Sequence, residues 1–596
     1  LMNKLEEVVE MKQKIKRLLV IATAFIMLLS LFGCNNNGSS NNRKQGRIKV
    51  TFWAEVDDAN QTLILDIVNK FNEENPNINV TLVPQSTGYS SNLAATLRGS
   101  NPPDIVMIED KFFKRYVNEG YLTKLDDYIK STNDQNFSLD EIWPSIVNRF
   151  SYNPETGYSG TGSDYYAIPN GNNPTLLYYN ITLFKQQNIN IISIAEDELN
   201  DYNSKNGSSY LPHGFYVYSK APAEGLVARS DGKYYVFNNR IPTNWSELVE
   251  LSKIFTKSYN PTSSSTYGFL NEWWFSFGWS VGGDCLEWDD EKGQYIFNLG
   301  DVTPNYLVTG SEPLTINNNK YNPGSLLSYE DKIYVAKHLS DSKIKEYLNT
   351  QKLYKLPSIK EAFTEFCRLS QTTNRVVTAG KYGYGVPPSP TTLGNNSKAT
   401  YFTTGEVAIV CESLGSVRTI GENMKALGKE WDVAPLYQYR EYNSDGTLKY
   451  VNGIPVVGKM AAHNYSTGFA IPSNAKHKDA AWKFITYIAG AEGQKVLMKT
   501  NTRVPNQISL ANSDDYIKYT GDYSFSNKKA ILDMAKIATV GDWSYVEDGE
   551  WINGWANILN TKVRDGDMTL DEFFSNTTVL ETNELLKKYT AKKFNK

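Results

Sequence analysis

The feature that most restricts this chain is the order of its apolar runs between positions 48 and 118. Ile48-Lys49-Val50-Thr51-Phe52-Trp53 reads as a strand, and the helical stripe Ile64, Ile67, Val68 and Phe71 follows it and stops at Pro76. Ile78 to Val83 is a second strand, Leu93 to Leu97 a short helix ended by Gly99, and Ile105 to Ile108 a third strand before the helical Phe112 to Asn118. A βαβαβ order requires a parallel sheet with helices on both faces, and it sends ligands to the carboxyl ends of the strands. Here those ends are Trp53 to Asp58, Pro84 to Tyr89 and Glu109-Asp110, which are aromatic and acidic.

A chain of 596 residues exceeds what one hydrophobic core organises, so two or more domains are expected. Its 61 Lys+Arg and 65 Asp+Glu give a net charge of −4 with no basic stripe, which argues against nucleic acid as a partner. Apart from Cys34, the cysteines Cys285, Cys367 and Cys411 show no CxxC spacing and no histidine cluster. Three buried thiols are therefore expected, with one disulfide among them as the alternative, and no metal and no cofactor. The 39 Tyr and 12 Trp bring many rings with an apolar face and a polar handle, as a surface that handles a solute needs.

Near the start, the basic Lys12-Gln13-Lys14-Ile15-Lys16-Arg17 runs into an apolar block from Leu18 that ends at Leu31-Phe32-Gly33-Cys34. Such an order describes a secretory signal, too short for a comfortable membrane span. Leu, any residue, Gly, Cys resembles the lipobox of bacterial lipoproteins, which implies removal of residues 1–33 and acylation of Cys34, with Met11 as the translation start. Residues 34–46 then form a polar tether, whose stretch of about 11 residues from Asn35 has a reach of roughly 18 Å. The expected location is the cell membrane, lipid-anchored and facing outside, in a single-membrane bacterium.

Several later motifs fall in a recognisable order. They are Tyr166-Ala167-Ile168-Pro169 with Leu177-Tyr178-Tyr179-Asn180, Pro242 to Leu248, Trp273-Trp274 leading to Gly282-Gly283, Phe402 to Val410, Asp479 to Ile488, and Trp551 to Trp555 followed by Gly566 to Glu572. In this order the chain resembles the bacterial extracellular solute-binding proteins of ABC importers, in the sugar-binding family that includes the maltose-binding protein. The resemblance implies a two-lobed α/β fold of the type II periplasmic-binding-protein class, with multiple interlobe crossings and a ligand cleft between the lobes. Crossings are expected near 170–175, 398–402 and 456–464. Lobe one is then 47–171 plus 401–457, and lobe two 172–400 plus 458–596. Extra length falls at 189–240, read as an added hairpin rimming the cleft, and at 300–356.

A sugar has apolar C–H faces and a rim of hydroxyls, so its site needs aromatic planes together with carboxylates or amides. The candidate rings are Trp53, Trp274, Trp543 and Trp551, and the candidate polar contacts are Glu55, Asp110, Tyr178, Asn180, Asp284 and Glu412. All follow strand ends or glycine turns, or sit where the family presents a ring to ligand. Gly278-Trp279-Ser280-Val281-Gly282 matches a nucleophile elbow, yet Gly282-Gly283 breaks the helix that such an elbow needs. Gly453 to Lys459 approaches a phosphate loop without the Ser or Thr that holds magnesium. The expected function is a monomeric, non-enzymatic receptor that captures a carbohydrate and delivers it to the transmembrane subunits of an ABC permease. The alternatives are a peptide, polyamine or metal on the same fold, or a secreted glycoside or serine hydrolase.

Overall fold

The strand Ile48–Glu55 pairs in parallel with Ile78–Gln85, from Ile48 opposite Ile78 to Glu55 opposite Gln85, and with Ile105–Glu109 on its other side. Val50, Phe52 and Ala54 alternate inward and are fully buried. Over them lies the helix Asp58–Glu74, through Ile64, Ile67, Val68 and Phe71. The βαβαβ unit is thus as the sequence predicts. The computed structural model describes residues 46–592 and 594–595, apart from 57, 86–87, 272–273, 371, 395–396, 520, 522–524 and 540–543. The export signal, Cys34, the tether to position 45, Trp273 and Trp543 lie outside the described residues.

Two sheets organise the body. In the first the strand order is Ile78–Gln85, Ile48–Glu55, Ile105–Glu109, Thr467–Ala470 and Ala167–Pro169. The second runs Tyr267–Leu270, Val407–Ser413, Asn173–Asn180, Ala462–Tyr465 and Ala538–Thr539, with Trp431–Ala434 also paired to Asn173–Asn180. Asn173–Asn180 is buried from Pro174 onward, as a central strand covered on both faces must be.

These pairings correct the expected grouping of 401–457 with lobe one. Val407–Ser413 lies between Tyr267–Leu270 and Asn173–Asn180, in the second sheet. Conversely, Thr467–Ala470 sits between Ile105–Glu109 and Ala167–Pro169, and the helix Lys478–Ala489 packs on that first sheet. Phe484 of this helix meets Phe71 and Phe52 at ring-centroid distances of 5.1 and 5.7 Å. A run as apolar as Val407-Ala408-Ile409-Val410 fits the centre of either sheet, and its partner is settled by distant packing, such as Phe402 against Tyr178 at 6.4 Å.

The chain leaves the first sheet at 170–172, as expected. No crossing occurs at 398–402, where the helix Lys398–Thr404 packs on the strand that follows it. The return comes at Ser466, just beyond the expected 456–464, between the strands Ala462–Tyr465 and Thr467–Ala470. A third segment runs along the same junction: Asn172 and Val504 exchange backbone N–H to O bonds of 3.0 and 2.7 Å. Beside it the fully buried Arg149 pairs with Asp110 at 3.2 Å and also donates to the Asn464 carbonyl. The junction is therefore tied by a buried polar network rather than left as a loose linker.

Both inserts are folded units. Ile189–Ile192, Tyr234–Asn238 and Phe215–Tyr218 form a three-stranded sheet, and Phe237 anchors it against Tyr179 at 4.9 Å. The second insert stands on the antiparallel pair Asn305–Val308 with Leu353–Leu356 and carries a hairpin, Leu314–Ile316 with Asn319–Tyr321. Two helices, Tyr329–Lys337 and Ser342–Asn349, complete it around a core of Val308, Leu314, Ile316, Val335 and Ile344.

Candidate functional site

The helix Phe275–Ser280 ends in a turn that only small residues permit. Gly282 has φ +89°, and Gly283 lies so close to Ile359 that a Cβ would press on it. Beyond this turn the chain forms the antiparallel strands Leu286–Asp289 and Gln294–Phe297. The segment 457–459 is drawn against the same helix end. Lys459 N–H donates to the Ser280 carbonyl at 2.9 Å, and a Cβ on Gly458 would overlap that carbonyl. Between these parts and residues 321–330 of the second insert lies a cavity of about 790 Å³.

Six aromatic residues line it: Trp279, Trp288, Tyr295, Tyr321, Tyr329 and Tyr545. Trp288 meets Tyr295 edge-on at 5.2 Å, and Tyr295 stacks on Tyr545 at 5.6 Å and 23°. Asp284, Glu287 and Glu330 bring carboxylates to the same lining, and Lys459 brings one ammonium. The Asp284 carboxylate accepts from the Tyr545 hydroxyl at 3.0 Å and from the Cys285 N–H at 2.7 Å, which fixes its orientation. Burial, together with Asp301 and Glu287, holds the Tyr329 hydroxyl well above the ordinary tyrosine range, so it stays a neutral donor.

Tyr545 also ties the cavity to the first lobe. Its carbonyl accepts from the Lys114 ammonium at 2.6 Å, and Lys114 lies buried on the helix Asp110–Asn118. The adjacent Glu547 accepts from Asn118 and Thr590. One short loop thereby contacts the first-lobe helix on one side and the Asp284 carboxylate on the other.

Of the residues singled out from sequence, Asp284 lines this cavity. Tyr178 is fully buried, stacks on Trp431 at 5.7 Å, and its hydroxyl is taken by the Ser413 carbonyl at 2.8 Å. Asn180 caps the helix Ile181–Gln186, accepting from the Leu183 N–H at 3.1 Å. Asp110 is committed to Arg149 in the junction. Trp551 has no exposed surface, and Trp274 packs edge-on against Trp555 at 4.7 Å. Glu412 faces Lys398 at 3.7 Å and accepts from Ser416 at 3.1 Å. Trp53 and Glu55 stand at the carboxyl end of their strand, Trp53 half-buried and Glu55 exposed, with the Glu55 carboxyl raised by partial burial and by Glu109. No described residue of 189–240 lines this cavity.

The lining residues that sequence reasoning passed over are chiefly Trp279, Trp288, Tyr295, Tyr321, Tyr329 and Tyr545. Trp279 lies inside the elbow-like motif, whose Ser280 is buried and donates to the Phe277 carbonyl at 2.8 Å within its own helix. No histidine is among the residues lining the cavity to serve as its base. The phosphate-loop-like stretch forms part of a small antiparallel pair, Tyr450–Val451 with Ile454–Pro455. Cys285, Cys367 and Cys411 are all buried.

The model of the bacterial extracellular solute-binding proteins matches residues 66–521. The chain belongs to that family. Three solved structures share the two-lobed fold of this solute-binding protein. The ABC substrate-binding protein Lmo0181 from Listeria monocytogenes, in complex with cycloalternan, is 15% identical with a TM-score of 0.53, over 91% of this chain and 99% of that one. UgpB from Mycobacterium tuberculosis, in complex with glycerophosphocholine, is 16% identical with a TM-score of 0.52, over 91% and 98%. The sugar-binding protein MalE from the phytopathogen Xanthomonas citri is 13% identical with a TM-score of 0.51, over 91% and 97%. A search of curated proteins finds no match to this solute-binding protein. None of its described helices is long and apolar enough to cross a membrane.

Proposed function

We propose that this solute-binding protein is a non-enzymatic receptor that captures a carbohydrate, an oligosaccharide, in the 790 Å³ cavity and delivers it to the transmembrane subunits of an ABC permease. The observation that carries the reading is the composition of the lining, with six aromatic residues set around Asp284, Glu287 and Glu330. Rings stack on the C–H faces of a sugar, and fixed carboxylates accept from its hydroxyls. The volume lies in the upper part of the roughly 300 to 1,000 Å³ typical of ligand pockets. Two of the fold relatives, Lmo0181 with cycloalternan and the sugar-binding MalE, support the same ligand class. Trp53 and Glu55 are the proposed contacts from the first lobe, closing on the solute by rotation at the junction.

The receptor is held outside the cell by lipid on Cys34, works as a monomer, and releases its ligand unchanged. Release to a permease requires reversible binding, so a dissociation constant near a micromolar, about 8 kcal/mol, is expected. Titration calorimetry against mono- and oligosaccharides, with product analysis after incubation, tests this. Saturable binding without new products supports the receptor, whereas turnover removes it. A second reading is favoured by the three carboxylates among aromatic rings, an arrangement that also suits an organic cation such as a quaternary amine. The glycerophosphocholine complex of UgpB is in keeping with it. Binding of choline esters or polyamines in preference to every sugar would select that reading.

A further inference from the structure

The rings that the body contributes to the cavity are almost fully buried: Trp279, Trp288, Tyr295 and Tyr545 are 3, 8, 5 and 4% exposed. Those contributed by the second insert, Tyr321 and Tyr329, are half-buried and keep accessible faces. The insert wall is also rigidly held. The Tyr321 hydroxyl donates to Asp331, the Ser328 N–H donates to that hydroxyl at 3.2 Å, and Lys332 pairs with Asp301 at 2.8 Å while donating to Asn305 at 3.1 Å. Leu326 fits against the strained turn at Gly282, so the wall is registered to the floor of the cavity.

The chain enters and leaves the insert through two paired strands, and side chains such as Lys337, bonded to Glu291 at 2.8 Å, add contacts to the body. Val308 pairs with Leu353, and the Thr309 N–H donates to the Lys352 carbonyl at 2.9 Å, so everything between 309 and 352 hangs from the open end of one antiparallel pair. With its own core, this unit is a discrete module that adds one wall to a cavity which would otherwise open to solvent on that side.

We propose that the module 309–352 is a length gauge, supplying the stacking faces for the terminal glycosyl units and a wall that limits how many units fit. The inference rests on the carbohydrate reading above and assigns its selectivity. A glycosyl unit displaces on the order of five waters of about 30 Å³ each. The cavity, about 790 Å³, then accepts at most about five units. A gauge predicts that affinity rises with each added unit and falls once the wall is met.

The test compares intact protein with two variants, using maltose through maltoheptaose and mannobiose through mannohexaose in calorimetry. In one variant Asn-Gly replaces residues 310–351, a two-residue turn suited to an antiparallel pair. The other is Tyr329→Ala, which leaves the module's core in place. Excision is expected to weaken the best-fitting sugar at least tenfold and to abolish the fall in affinity for longer ones. Tyr329→Ala is expected to remove the gain of one unit, about fivefold to tenfold, and so to flatten the rise of affinity with length. If excision prevents folding, Tyr329→Ala decides alone. Folded variants that keep the intact length profile overturn the gauge while leaving the carbohydrate reading standing. Binding of no sugar by the intact protein overturns the carbohydrate reading, and the gauge with it.

Discussion

Lys114→Met should change the sign of its effect on stability between neutral and alkaline pH. Burial pushes the Lys114 ammonium from 10.5 down to about 7, with Glu547 only partly opposing it. The unfolded chain takes up this proton at about 10.4, whereas the folded chain refuses it until about pH 7. Between those values the unfolded state binds more protons, so stability rises with pH across that window; below pH 7 the full cost is present. A fall of about 3.5, at about 1.4 kcal/mol per unit, is about 5 kcal/mol. Methionine removes this cost but leaves the Tyr545 carbonyl without its 2.6 Å donor, a loss of about 1 to 3 kcal/mol. The variant should therefore be more stable by about 2 to 4 kcal/mol at pH 6.5 and less stable by about 1 to 3 at pH 10.5. Urea midpoints followed by tryptophan fluorescence at both pH values measure this. A variant displaced from the parent by the same amount, in the same direction, at both pH values would refute the assignment of the cost to Lys114.

Asp110→Asn leaves the buried Arg149 guanidinium without its counter-charge and should destabilise by about 3 to 5 kcal/mol, measured by the same urea series. Trp274→Ala should cost about 3 to 5 kcal/mol by opening a void against Trp555, while the folded protein keeps its sugar affinity, since this ring is absent from the cavity lining. A large loss of affinity with unchanged stability would contradict that placement. Cys367 and Cys411 should react with thiol reagents only in denaturant, because both are buried and burial pushes the Cys411 thiol up to about 12. Labelling of the native protein at pH 8 would show that these sites open.

The parts of the fold legible in the sequence are those whose signal is local. Ile64, Ile67, Val68 and Phe71 declare a helix face, and the Asn244 cap before Trp245 forms its capping box with Glu247. Which sheet receives Val407–Ser413 is a question of non-local pairing, and a strand apolar on both faces carries no mark of its neighbours. The site divides in the same way. Asp284 could be found because two glycines announce a turn before it. Tyr178 and Asn180 stand at a strand end as a contact would, yet one is spent on Ser413 and the other on a helix cap. Tyr321 and Tyr329 lie among 39 tyrosines, and only the folding of the second insert brings them to the cavity.

The junction at Asn172, Ser466 and Val504 has a mechanical meaning. A single connecting segment would let two lobes swing and twist about any axis. Segments fastened to one another side by side, by the paired bonds of Asn172 with Val504 and by Asn464 bonded to Asn172, behave as a flexure. Such an element bends easily about the line through its attachments and resists torsion about every other. Opening and closing are thereby confined to one track, and a solute leaves by reversing the path on which it entered.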